Sequence, residues 1–313
     1  MKKLALFGLL TASLLADGWF DPSPDYYIEQ QAQVAIVKHV AGKEELIIDV
    51  KFYGNSKDFA WVIPTPALPA VDSVPVQLFY DLQDFCRPIY KQRGSGCSGI
   101  LGGYPTGENG KGDSETREVG QGVIGGFAYK IIEAQSVDGL SQYLTDNGYA
   151  YPNEAPPVLN SYLNKDWHYF LVARTDTATM TVTGEVGVRI TFASAAPVYP
   201  MKITSLSSDS TDVILYVVTE HRMHAPGAAL KFAGWIGAAD LNNVSPVIDR
   251  TYFLTKLYRR FTKDMEDITL TRAPDDQEYR EIIFYAYSDK GWGDLSLFAA
   301  VGIVLFLKRR WRK

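Results

Sequence analysis

Short runs in which apolar and polar positions alternate recur along most of the chain, and runs of that length bounded by Gly, Pro, Asn or Asp predict strands. Residues 33–40 and 45–53, joined at Ala41-Gly42-Lys43, predict a hairpin. Residues 59–63 predict a third strand, ended by Pro64-Thr65-Pro66 because proline cannot donate to a ladder. Further strands are expected over 127–134, 167–174, 186–192, 213–219, 268–272 and 281–287. Helical spacing is rarer. Residues 137–146 place Leu140, Tyr143 and Leu144 on one face, with Ser136 as the cap and Gly148 just past the end. A second helix is expected over 158–163 after Pro156-Pro157, and a third over 256–263. The fold class is therefore α+β: a mainly antiparallel β ectodomain with a few short helices, plus one C-terminal transmembrane helix.

The two ends follow different rules from the body. Met1-Lys2-Lys3, an apolar run from Leu4 to Ala12 and a small residue at Ala16 before Asp17 describe a signal peptide over 1–16. At the other end, 13 uncharged residues from Leu295 to Leu307 precede Lys308-Arg309-Arg310-Trp311-Arg312-Lys313. Thirteen helical residues reach about 20 Å, against a hydrocarbon core of about 30 Å. Starting the span at Trp292 and letting Lys308 and Arg309 snorkel closes most of the gap. A transmembrane helix over 292–307 with a basic cytoplasmic tail, 308–313, is the resulting expectation. The positive-inside rule then puts the 17–290 body outside the cytoplasm, periplasmic or at the cell surface. The tail also resembles the tripartite sorting signals that are cut from bacterial envelope proteins, without their Pro-Glu-Pro, Gly-Gly or Cys hallmarks.

Charge sharpens this picture. The 313 residues carry a net charge of -5, but seven of the basic residues lie at the two ends. Between Asp17 and Gly293 there are 24 basic against 35 acidic residues, which argues against nucleic acid as a partner. Outside the cytoplasm the two cysteines, Cys86 and Cys97, are expected to form a structural disulfide. Their spacing matches neither a redox Cys-x-x-Cys nor a usual zinc site.

Candidate chemistry is sparse. Residues 94–126 hold 12 glycines in 33 positions and read as a long Gly-rich loop. Within it, Gly120-Gln121-Gly122-Val123-Ile124-Gly125 spells G-x-G-x-x-G, but a polar loop precedes it and a β-type run follows. The strand-then-helix context of a dinucleotide site is missing, so neither a nucleotide nor any other cofactor is expected. Glu108, Asp113, Glu115 and Glu118 lack the ligand spacing of an EF-hand. Gly112-Asp113-Ser114 sits in the loop rather than after a strand, and no G-x-S-x-G exists. His221-Arg222-Met223-His224 follows a strand; with the distant His168 it is the one metal-site alternative, against an exposed turn. Asp275-Asp276 after a proline reads as a solvated turn. Trp61, Pro64, Pro66 and Pro69 suit either a ligand ridge or, with Phe59 and Trp61 on one strand face, the core.

Asp58-Phe59-Ala60-Trp61-Val62-Ile63-Pro64-Thr65-Pro66-Ala67-Leu68-Pro69 resembles the signature of a bacterial family catalogued only as domain of unknown function 2330. Leu140 to Tyr149, Trp167-His168-Tyr169-Phe170, and Val188-Arg189-Ile190-Thr191-Phe192 leading to Pro197-Val198-Tyr199-Pro200 resemble later segments of it. The resemblance implies an envelope address and no chemistry. The leading expectation is a non-catalytic, single-pass envelope protein acting as a binding or assembly module. Its partners are the membrane, through the C-terminal helix, and an envelope protein or a glycan. The alternative is a membrane-anchored, metal-dependent extracytoplasmic hydrolase using His221, His224 or His168.

Overall fold

A computed structural model describes residues 19–22, 28–30, 33–49, 52–54, 59–92, 118–124, 127–149, 152–175, 186–206, 210–241, 245–262 and 265–285. The expected signal peptide, the 292–307 segment, the 308–313 tail and Cys97 lie outside them. Among the described residues no helix is long and apolar enough to cross a membrane. The described fold is mostly antiparallel β-sheet with three short helices: α1 (Gln77–Phe85), α2 (Val137–Asp146) and α3 (Ala155–Leu163).

An eight-stranded sheet runs in the spatial order 279–280, 229–236, 252–262, 210–219, 33–40, 43–48, 186–193, 70–75. Only the pairing of Ser210–Thr219 with Gln33–Val40 is parallel in it. A five-stranded antiparallel sheet runs 19–22, 59–65, 169–175, 127–133, 118–124. Two-residue alternation decides what each face touches. Ala35, Val37, Leu46, Ile48, Leu215 and Val217 meet Trp61, Ile63, Ile131 and Leu171 of the five-stranded sheet in one buried cluster. The intervening Ile36, Ile47, Tyr216 and Val218 face the other way and pack with Leu78, Phe79 and Leu82 of α1. On the far side of the five-stranded sheet, Val62, Ile132, Phe170 and Val172 pack with Leu140 and Leu144 of α2 and Leu159 and Tyr162 of α3. The result is four layers: helix, wide sheet, narrow sheet, helix pair.

Local chemistry accounts for several elements. The 33–40/43–48 hairpin turns at Ala41 (φ 52°) and Gly42 (φ 74°), the two positive-φ positions that suit a two-residue turn to strand twist. Ser136 caps α2 as expected, its Oγ accepting from Gly139 N–H at 3.1 Å. Gly148 at φ +73° stands just beyond its end. Gly187 permits close packing, because a Cβ there would lie 3.0 Å from Phe79, 3.2 Å from Val74 and 3.3 Å from Ile47.

Several expectations are corrected. Residues 256–263 are not a helix; Tyr252–Thr262 is a strand paired on both sides, whose two ladders override the helix-like run of basic residues. Its long cations lie along the sheet, Lys256 over the Tyr216 ring and Arg259 over Phe261. The strand at Phe59 continues through Pro64 to Thr65. Among the described residues the 19–22 strand pairs only as far as Val62, so there Pro64 has a ladder neighbour on one side alone, a position where proline is tolerated. The 45–53 run divides into Lys43–Ile48 and Phe52–Gly54, and 268–272 into two bridges. The strands Ala70–Pro75 and Ala229–Ile236 and helix α1 have no counterpart in the sequence reading.

The described chain divides into two compact units. Both sheets and all three helices belong to the larger. The smaller is a parallel two-stranded ribbon, Ile89–Gln92 with Ile282–Tyr285. In the larger unit, Gly187→Val should lower stability by about 1–3 kcal/mol, since Phe79, Val74 and Ile47 are buried and cannot yield. Urea denaturation checks this; an unchanged midpoint would show that α1 is not held tightly on the sheet.

Candidate functional site

The strand register sets out one face of the wide sheet residue by residue. Thr219 pairs with Phe253, and Phe253 with Trp235, forming one row. The next row runs Val217, Thr255, Ala233, Tyr279. This is the face that, nearer the middle of the sheet, meets the narrow sheet. Here its aromatic rings reach solvent: Trp235 is 47% exposed and Tyr279 43%. Trp235 stands edge-on to the fully buried Phe253, ring centroids 5.0 Å apart. Trp235 is thus fixed at its base and open at its tip.

The segment after Thr219 folds over this face. Thr219 Oγ1 donates to the His221 carbonyl at 2.6 Å, and Thr255 Oγ1 accepts from Met223 N–H at 3.1 Å. Met223–His224 bridges to Thr271–Arg272, so the returning chain brings Asp275 and Asp276 to the same corner. Asp276 Oδ2 lies 2.8 Å from His221 Nδ1, and its Oδ1 accepts from Arg222 N–H at 2.8 Å. Arg222 pairs with Asp275 at 3.0 Å and donates to the Gln277 carbonyl. The hydrogen bond from His221 and that from the Arg222 backbone hold the Asp276 carboxyl below its usual range. Asp276 is therefore a brace for the corner, while Asp275 beside it is exposed at a bend. The His221 ring keeps its second nitrogen for another partner, with its side chain 41% exposed.

The remaining expected site residues are dispersed. His224 is exposed on the two-residue bridge. His168 lies on the narrow sheet's helical side, its Nδ1 3.0 Å from the Ala134 carbonyl. It lines a shallow, open cavity of about 600 Å³ with Ser136, Asp138, Pro156, Asn160 and Asn164. His39 bonds the Ser194 carbonyl at 2.8 Å. Among the described residues no three His, Cys, Asp or Glu side chains gather as a metal site would require. Cys86 is a buried free thiol at the end of α1, pushed up to about 12 by burial; Cys97 is not among the described residues. Gly120 and Gly122, expected in the Gly-rich loop, lie in the strand Glu118–Ile124, where side chains of Ile131 and Tyr129 occupy the space a Cβ would need. Those glycines serve a hairpin, which corrects the loop expectation over 118–124; residues 94–117, 125 and 126 lie outside the described residues. Trp61 is 1% exposed and Pro64 and Pro69 are buried, so these three belong to the core and form no ligand ridge, while Pro66 is half-buried.

Sequence reasoning missed Trp235 and Tyr279, whose 44-residue separation only strand register closes. It also missed Glu44. This fully buried carboxyl accepts from Val198 N–H at 3.1 Å through Oε2, while Oε1 has no hydrogen-bond partner. Burial raises its pKa well above the ordinary carboxylate range, against smaller opposing hydrogen bonds from Val198 and Ser194.

A family described as an uncharacterised protein conserved in bacteria, DUF2330, matches residues 11–271. No curated protein matches. Among solved structures, a mutated baculovirus P35 after caspase cleavage is similar at 7% identity and TM-score 0.35, over 78% of this chain and all of that one. P35 in its complex with caspase-8 is similar at 8% identity and TM-score 0.35, over 77% and 96%.

Glu44 yields a pH prediction. Its folded form keeps the proton that the unfolded chain releases above the ordinary carboxylate pKa, so its burial costs stability as pH rises past that value. Glu44→Gln should therefore raise the denaturation midpoint at pH 7.5 and leave it nearly unchanged at pH 4. A lower midpoint at pH 7.5 would mean that the ionised carboxylate is the form the fold holds.

Proposed function

The chain belongs to the uncharacterised bacterial family DUF2330, and on that premise we propose that it is a non-catalytic binding module presented outside the cytoplasmic membrane. The signal peptide over 1–16 and the 292–307 segment with its basic tail supply the address. The acidic body turns away nucleic acid, and no cofactor is needed. The observation that carries the binding role is the pair of exposed aromatics on a rigid sheet, Trp235 and Tyr279. They lie on the face over which the His221–Asp276 corner folds. Flat aromatic faces offer apolar stacking surface, and neighbouring carboxylate, imidazole and guanidinium groups supply hydrogen bonds. That combination fits a glycan of the envelope better than an extended peptide, which would ask for an unpaired strand edge.

One observation favours the competing hydrolase. His221 is oriented by a carboxylate that a backbone N–H holds in turn, the arrangement of a general base. The other partners of such a site, a metal or a placed nucleophile, are not assembled around it among the described residues.

The test uses full-length protein in detergent, sedimented with purified envelope glycan. Replacing Trp235 and Tyr279 by Ala should weaken retention roughly tenfold to a hundredfold, about 1–3 kcal/mol. Because both side chains are half exposed, the variant should stay folded, its thermal midpoint lowered by only a few degrees through loss of the Trp235–Phe253 contact. Equal retention of the variant would remove the aromatic surface from the account. A turnover abolished by His221→Ala would replace binding with catalysis.

A further inference from the structure

The smaller unit exposes apolar side chains in a manner its own strands do not explain. Ile89–Gln92 and Ile282–Tyr285 pair in parallel, Ile282 beside Ile89, Ile283 beside Tyr90 and Phe284 beside Lys91. Parallel pairs are ordinarily buried on both faces, and a ribbon of two strands is marginal alone in water. Here Ile89 is 43% exposed, Tyr90 63%, Ile282 42%, Ile283 36% and Phe284 61%. Alternation puts Ile89, Lys91, Ile282 and Phe284 on one face and Tyr90 and Ile283 on the other, so each face carries exposed apolar side chains. Such a surface calls for an apolar cover.

The sequence that follows the ribbon identifies the cover. After Tyr285 come Ala286, Tyr287 and then Trp292, and the uncharged run begins at Leu295, ten residues on. Even fully extended, ten residues span only about 33–36 Å. The ribbon is therefore tethered within that distance of the segment expected to enter the bilayer. Its composition also matches the interface. Phe284 and Tyr90 are aromatic residues of the kind that settle at headgroup level, and Lys91 supplies a cation for anionic headgroups.

We propose that the Ile89–Gln92/Ile282–Tyr285 ribbon is a lipid-docking surface that lies in the headgroup region of the membrane. The proposal rests on the membrane-anchored reading and adds a second, interfacial point of attachment.

The test uses the full chain reconstituted into vesicles of phosphatidylethanolamine and phosphatidylglycerol, with Cys97→Ser and the buried Cys86 left in place. A fluorophore is attached at Phe284→Cys or, as the reference, at Thr145→Cys on exposed α2. Doxyl-labelled lipid should remove most of the emission at position 284 and leave that at 145 unchanged. Alkaline extraction of the same vesicles reports the anchor separately. Retention in the membrane with no quenching at 284 overturns the docking surface while the anchor stands. Release by alkali after quenching at 284 supports the surface and overturns the anchor. Release with no quenching overturns both.

Discussion

Every strand at the centre of this protein has to be buried on both sides, and that requirement organises the rest. In Ser210–Thr219 one set of side chains enters the core between the sheets and the other lies under α1. The same division holds for 33–40 and 43–48 and, in the narrow sheet, for 59–65 and 169–175. A slip of one residue would exchange the two sets, so register is strongly specified. Polar groups in the buried rows fix it further. Gln33 accepts from Tyr199 Oη at 3.2 Å and its amide reaches Thr204 Oγ1 at 3.5 Å. Tyr162 donates to Asp267 at 2.8 Å and accepts from Ile203 N–H, tying α3 to the chain that packs beneath it.

The unequal widths of the two sheets leave the wide one exposed toward its 229–236 edge, and the surface there follows from register. Phe253, anchored in the core, sets Trp235 edge-on and half open. Thr219 and Thr255, on the same face, use their hydroxyls to seat the 221–223 segment over it. Asp276 then locks the corner through one side-chain and one backbone bond. The corner's polar groups and the exposed rings thus share one support, in which each holding contact is a hydrogen bond or a buried ring. Rigidity of that kind favours recognition, because little side-chain freedom is left to lose on binding.

The sequence was most legible where a local signal and the tertiary contact agree. Ser136 and Gly148 bracket α2 because capping is decided within a few residues. The Ala41-Gly42 turn is local too. Trp61 was left between core and ligand by its sequence, and burial by the narrow sheet's partners resolved it. Helix α1 escaped notice because its N-cap position is Val76, which makes no side-chain cap bond, and because Pro75 precedes it as the end of a strand. The 256–263 run misled because Lys256, Arg259 and Arg260 resemble a helix surface until two neighbouring strands claim the backbone. The candidate site was the least legible part. His221 was visible as a motif, but Asp276 lies 55 positions away and looked like a turn residue. Trp235 and Tyr279 become neighbours only once their two strands are placed in register.

The family is uncharacterised, and the envelope location proposed for this member joins three features: an acidic body, an exposed aromatic face, and apolar side chains on a ribbon close in sequence to the C-terminal apolar run. All of this depends on the body lying outside the cytoplasm. The most direct measurement is the intact mass of the protein recovered from the membrane fraction of its native cells. The expected result is a species of residues 17–313 in that fraction. A chain retaining residues 1–16 and recovered from the soluble cytoplasmic fraction would contradict it.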